Sequence, residues 1–407
     1  MTIMSGPRKA LGEAARLHWE RRLRTELRDN ILPFWIRHAV DEVNGGFYGA
    51  VTNDLRVLND VPRTAVLCAR ILWTYSCAHR TFKDDRYLKM AERAYDDLTH
   101  RFWDQQHRGV YWSVDRHGRP VSDRKHAYAQ AFTIYGLAEF YRVTQAPESL
   151  RLAQELFDLT QAHTYDNANG GNIEGCSRDW SALADMRLSD KEPNCRKSMN
   201  TLLHLMEAYT NLARVWDSAA LKSALRGLIQ VFLEHVVDPR TGHFRQFFDD
   251  QWRPLSDDVS FGHDIEGSWL LVEAAEVLGQ QEIVDQVRET AVRMAEAVYA
   301  EGLDSDGSLL FEPDGKERAD KQWWVEAEGV VGFYNAYQLT SRERFAEAAL
   351  RIWGYVEQKF VDRTHGDWFK LLNRAGVPYA DSHKIGPWEC PYHHSRCCLE
   401  MLARLAA

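Results

Sequence analysis

The sequence predicts an all-α protein in which six inner and six outer helices close into an (α/α)6 barrel, one catalytic domain over residues 1–407. Three observations predict it. A glycine motif recurs six times, two kinds of helical pattern alternate strictly, and no linker or low-complexity tract interrupts them.

The motif sets Gly two residues before a bulky apolar side chain. It occurs as Gly46-Phe47-Tyr48, Gly109-Val110-Tyr111, Gly171-Asn172-Ile173, Gly242-His243-Phe244, Gly307-Ser308-Leu309 and Gly366-Asp367-Trp368. Successive copies lie 63, 62, 71, 65 and 59 residues apart. After each comes a loop, a helical pattern, a short break and a second helical pattern.

In chain order, outer helices are expected over 9–31, 84–102, 148–163, 219–237, 281–300 and 342–360. These are charge-rich with one apolar stripe, as surface helices are. Inner helices are expected over 62–79, 125–143, 198–216, 263–278, 323–339 and 391–406. They are charge-poor. In 198–216, Leu202, Leu203, Leu205, Met206, Tyr209, Leu212, Ala213 and Trp216 spread apolar surface over a wide arc, which places that helix inside. An open solenoid of helix pairs is the competing arrangement, but it calls for more uniform repeats and polar capping units. This chain starts on an outer helix and ends on an inner one, so closure would bury both ends.

Composition narrows the function classes. The chain is 45% hydrophobic and 27% charged, with Lys+Arg 50 against Asp+Glu 59 and a net charge of -9. No basic face for nucleic acid or an anionic membrane follows from that. No apolar run reaches membrane-spanning length, and the first ten residues do not read as a signal peptide. Seven cysteines without metal-ligand spacing read as reduced, mostly buried thiols of a cytoplasmic protein. The 14 Trp, 16 Tyr and 17 Phe exceed what core filling explains, because several sit in Gly-containing loops beside His and Asp. Trp and Tyr in such loops are suited to stacking on the apolar C–H faces of sugar rings, so the expected partner is a small-molecule sugar, with the chain expected as a monomer or weak homodimer.

The topology has a chemical consequence. All six inner helices run the same way, so their N-termini gather at one end, where the long loops, including the insert 165–197 with Trp180 and Asp190, build a rim. Those first turns carry Arg63; His126, Tyr128 and Gln130; Asn200 and His204; His263 and Glu266; Trp323, Trp324, Glu326 and Glu328; and Tyr392, His393, His394 and Arg396. Any one of these reads equally well as a satisfied core polar group. Six sets converging on one funnel are costly to bury without purpose. Imidazoles facing one another across a pocket act as acid and base near neutral pH, and helix N-termini with Arg63 could stabilise an oxyanion. Glu266, three residues after His263, shares its helix face and could orient it. No nucleophile elbow, P-loop or dinucleotide fingerprint occurs. His-x-x-Glu could ligate a metal but lacks the companion spacing of zinc motifs. Paired carboxylates for glycoside hydrolysis would leave the histidines without a task.

Four longer motifs add to this reading. Lys197-Ser198-Met199-Asn200-Thr201-Leu202-Leu203-His204, Gly262-His263-Asp264-Ile265-Glu266, Trp323-Trp324-Val325-Glu326-Ala327-Glu328 and Gly386-Pro387-Trp388-Glu389-Cys390-Pro391-Tyr392-His393 resemble the N-acylglucosamine 2-epimerase superfamily, most closely its cellobiose 2-epimerase branch. Asn44-Gly45-Gly46-Phe47-Tyr48-Gly49 and the run from Asp185 to Lys191 add to the match. The resemblance implies an (α/α)6 barrel without metal or redox cofactor. It implies that the enzyme opens the reducing-end sugar, removes the C2 proton and reprotonates a cis-enediolate on the other face. By motif, His263 and His393 are the implied acid/base pair, Glu266 orients His263, and His204 assists ring opening. Arg63 and Asn200 are expected to hold the enediolate oxygens. Tyr111, Trp269, Trp324, Glu328 and Trp388 are expected to bind the sugar. The chain departs from the family at Glu326, Glu389 and His394, where Gln, Lys and Asn are usual.

Overall fold

Glycine decides where each repeat turns. Gly46, Gly109, Gly171, Gly242, Gly307 and Gly366 all have left-handed φ, between 65° and 97°, a region closed to most side chains. Each lies in a short loop that an antiparallel bridge closes: Val40 with Phe47, Trp103 with Val110, Tyr165 with Asn172, Val237 with Phe244, Leu303 with Leu309, and Val361 with Trp368. The bulky residue after the glycine turns into the core; Phe244, Leu309 and Trp368 are essentially inaccessible.

The structure, a computed structural model, describes residues 12–313 and 320–406. The expected start of the first outer helix at residue 9, and the N-terminal stretch read for a signal peptide, lie outside the described residues. That outer helix is formed by α1 (Glu13–Thr25) and α2 (Leu32–His38), joined by a widened turn at Glu26–Ile31. Inner and outer helices then alternate: α3 (Ala65–Phe82), α4 (Asp85–Asp97), α5 (Ala127–Thr144), α6 (Pro147–Thr164), α7 (Met199–Ala213), α8 (Ala219–Val231), α9 (Phe261–Leu278), α10 (Gln281–Glu301), α11 (Trp323–Thr340), α12 (Glu343–Tyr355) and α13 (Tyr392–Ala406). The inner helices pack in the cyclic order α3, α5, α7, α9, α11, α13 and back to α3. This is the expected (α/α)6 barrel.

Closure uses both ends of the chain. His383–Ile385 pairs antiparallel with Val51–Thr52, and α13 packs on α1. Asn30, Trp35 and Glu26 reach from the first outer helix to Asp367 and Trp368 of the last loop. An open solenoid has no such contacts. All seven cysteines are buried and unbonded. No helix among the described residues is long and apolar enough to cross a membrane.

The same pairing fixes where each inner helix begins. Arg63–Thr64, Lys125–His126, Lys197–Ser198 and Lys321–Gln322 each pair with a strand of the next repeat. The first helical residue then donates its N–H to that neighbouring loop, as Ala127 does to Glu174 and Phe261 to Phe311. Beneath the strands, Lys125, Lys197 and Lys321 are fully buried on Asp104, Asp166 and Asp304, at 3.0, 2.7 and 2.8 Å. Each aspartate also caps its own loop turn, so a side-chain pair welds the loop to the helix start. First-turn side chains are thereby held at one end of the barrel.

Candidate active site

Three imidazoles from three inner helices share that end. His204 on α7, His263 on α9 and His393 on α13 are linked through aromatic rings: Trp324 lies 4.8 Å from His263 and 5.6 Å from His393, while Tyr128 lies 5.0 Å from His204. His263 and His393 thus both lie against the Trp324 ring.

Each imidazole has its own partner at Nδ1. His393 is 2.8 Å from Glu328 Oε1, His204 is 2.9 Å from Glu207 Oε2, and His263 is 2.8 Å from the Ser260 hydroxyl. Ser260 also caps α9 by accepting from the His263 N–H. The expectation that Glu266 orients His263 is therefore corrected. The i, i+3 relation puts both on one face, but the Ser260 cap reaches Nδ1 first, and Glu266 turns inward to Arg396.

Arg396 is the hub beneath the histidines. Its guanidinium is buried and bonds to Glu207, Glu266 and Glu328, which come from α7, α9 and α11. The rings of Tyr392 and Trp269 flank it at 4.3 and 4.8 Å. Burial would raise the Glu207 carboxyl, but Arg396, His204 and Tyr392 hold it down at about 2. Glu266 is pushed up to about 7 by burial and by Glu328, against the pull of Arg396. Burial lowers His263 to about 3 and His393 well below its ordinary value, the latter helped by Arg70 and Arg396. Burial thus favours the neutral form of both imidazoles, the form a general base needs. Glu266, Glu328 and His393 offer three ligand atoms within 4.8 Å of one another, the one such group among the described residues. Arg396 Nη2 already bonds both carboxylates there.

The expected sugar-binding residues divide. Trp324 and Trp388 are half-buried at the cavity, with Trp388 5.9 Å from Tyr128 and 6.1 Å from Trp112. Asn200 has a buried Oδ1 with no hydrogen-bond partner among the described residues, as a group awaiting a hydroxyl would. Trp269 and Glu328 are each 1% exposed and bond to each other at 3.0 Å, and Glu328 in turn holds His393, so both back that imidazole from the core. Tyr111 is corrected too. Its hydroxyl takes a bond from Arg178 and its ring covers Lys125, while the next residue, on the opposite side of the extended chain, puts Trp112 beside Trp388. Arg63 does not reach the histidines. The helix starts at Ala65, leaving Arg63 in the strand, where it is spent on Asp41 and the Gly45 carbonyl.

Arg70, in the second turn of α3, is a buried cation whose charge is felt at His393. It donates to Tyr128 Oη at 2.9 Å and lies 4.2 and 5.1 Å from the rings of Phe132 and Tyr392. Its Nε is buried without a hydrogen-bond partner among the described residues. The reading of the helix starts missed it, as it missed Glu207 and Ser260; the signal available was an Arg set among apolar residues in the middle of a charge-poor helix.

Other polar first-turn residues are structural pins. Gln130 grips both backbone groups of Val110, Glu326 accepts the Leu309 N–H, and His126 is buried on the Met186 carbonyl. His394 points away to Asp367 at 2.7 Å, so His393 is the imidazole of that pair at the cavity.

The family model for N-acylglucosamine 2-epimerase matches residues 46–397. A cellobiose 2-epimerase of Bacteroides fragilis is 42% identical over 93% of this chain and 97% of its own length, and one of Dictyoglomus turgidum is 36% identical over 93% and 97%. The solved structure of a cellobiose 2-epimerase from Bacillus thermoamylovorans superposes with a TM-score of 0.91 at 39% identity, covering 95% of this chain and all of that one. With this arrangement of fold and imidazoles, the chain belongs to the N-acylglucosamine 2-epimerase family.

Proposed function

We propose that the chain is a sugar 2-epimerase interconverting glucose- and mannose-configured residues at the reducing end of β-1,4-linked disaccharides such as cellobiose, with the whole ring acting as one catalytic domain. One observation carries the reading: imidazoles from α9 and α13 lie against the same indole, Trp324, each with its own Nδ1 partner. Inversion at C2 needs a proton taken from one face and returned on the other, which is a task for two bases. The relatives named above support the choice of a disaccharide.

In this reading His393 and His263 are the catalytic pair at C2. Glu328 can only accept when ionised, so it fixes the proton of His393 on Nδ1 and leaves Nε2 as a base. Ser260 can donate or accept, so His263 can carry its proton on either nitrogen. His204, backed by Glu207, moves the proton that opens and closes the sugar ring. Arg70 and Asn200 meet the enediolate oxygens. Trp324 stacks beneath the reacting sugar, and Trp388 with Trp112 receives the second one at the rim.

The test is a product profile on cellobiose, lactose, glucose and mannose, with a His263→Ala variant alongside. Epimerised disaccharide from the wild type and none from the variant supports the proposal. Activity confined to free mannose or glucose, or ketose as the main product, favours the monosaccharide epimerase or isomerase. New reducing ends that persist in His263→Ala favour an inverting glycoside hydrolase.

A further inference from the structure

We propose that Arg396 is a positioning residue for proton transfer: its guanidinium makes Glu328 a pure hydrogen-bond acceptor, which holds the His393 proton on Nδ1 and leaves Nε2 unprotonated. The inference rests on the reading of His393 as a base. Arg396 Nη2 donates to Glu328 Oε1 at 2.7 Å, and Trp269 Nε1 donates to Oε2 at 3.0 Å. Arginine and indole nitrogens cannot accept, so both carboxylate oxygens are already receiving protons. The His393 Nδ1, 2.8 Å from Oε1, has only the donor role left.

Arg396 is what makes this arrangement stable in a buried site. Glu328 is 1% exposed, and burial pushes its carboxyl up, with Arg396 the largest opposing influence. Removing that cation favours the neutral acid. Its O–H would then donate to Nδ1, the imidazole proton would move to Nε2, and the ring would turn a donor toward the sugar. The same guanidinium holds Glu207, the partner of His204, so one side chain from α13 serves two of the three imidazoles. His263 is outside its reach, with a hydroxyl for a partner. Replacement of Arg396 therefore leaves the His263 tautomer unchanged.

The experiment is imidazole ¹⁵N NMR of the full chain with labelled histidine, signals assigned through His393→Gln and His263→Gln, together with steady-state kinetics. The wild type should show His393 protonated at Nδ1. Arg396→Gln should show it protonated at Nε2, with kcat lower by about 10³- to 10⁴-fold, the scale of a wrong-tautomer histidine, and KM within about threefold. Arg396→Lys, which restores a cation, should recover the Nδ1–H form and about tenfold or more of the lost kcat. Should Arg396→Gln fail to fold, Arg396→Met, which removes the cation while keeping an unbranched side chain between the Tyr392 and Trp269 rings, is read in its place. Persistence of Nδ1–H in the variants that fold, or a loss seen only in KM, overturns the proposal. If the wild type epimerises no sugar while the tautomer shifts as described, the functional reading fails and the positioning role stands.

Discussion

Replacing Glu326 by Gln should make the protein's stability less dependent on pH. The carboxyl is fully buried, its Oε2 accepts the Leu309 N–H at 3.0 Å, and its Oε1 has no hydrogen-bond partner among the described residues. Burial raises its pKa well above the ordinary value. Lys321, the nearby cation, is spent on Asp304 and Asp306. In the unfolded chain the side chain ionises as pH climbs past about 4.3, while in the folded chain it keeps its proton. The unfolded state therefore binds fewer protons, and wild-type stability falls with rising pH until the folded group also ionises. The slope is about 1.4 kcal/mol per pH unit over the range in which the folded group keeps its proton. Gln has no such slope. It keeps the acceptor for Leu309 but adds an unpaired N–H, a pH-independent cost of about 1–3 kcal/mol. Urea unfolding of both proteins at pH 5, 6 and 7 should show the difference moving steadily in favour of Glu326→Gln. A flat difference, or one moving the other way, would mean that the carboxylate is ionised in the fold and the reasoning is wrong.

Other predictions follow from the site. His263→Ala and His393→Ala should each lower kcat by about 10²-fold or more, with helical circular dichroism unchanged. Arg63→Ala and Arg70→Ala should separate cleanly. The first takes the guanidinium from Asp41, which keeps its bonds from Val43 and Asn44, costing about 1–3 kcal/mol of stability by denaturant titration, whereas the second should lower kcat/KM with a smaller loss of stability. Trp269→Phe keeps the ring over Arg396 but removes the N–H to Glu328, so kcat should fall with KM nearly constant.

Much of the fold was legible because its determinants are local. Six glycines at a near-constant spacing mark six left-handed turns, and the contrast between apolar-all-round and striped helices reports which layer each occupies. The site was legible where a residue near the start of an inner helix points inward, as His204, His263 and His393 do. Arg63 against Arg70 shows the limit. Moving the start of α3 from residue 62 to Ala65 takes Arg63 out of the helix, and the cavity is lined by a second-turn residue instead. Partner choice was less legible still. His263 and Glu266 share a face, yet a capping serine and an arginine 130 positions away decide what each one bonds. Helical spacing says which side chains are neighbours on one helix; it does not say what the facing helices bring.

The central claim is that hydrogen passes between two imidazoles and the two faces of C2. Its most direct measurement is hydrogen exchange at that carbon, by incubating the wild type with cellobiose in heavy water and reading the reducing-end residue by NMR and mass spectrometry. One deuterium at C2 of the mannose-configured product, with none at C1 or C3 and none in His263→Ala or His393→Ala reactions, is the predicted result. An epimerised product that retains its original hydrogen at C2 would contradict the account.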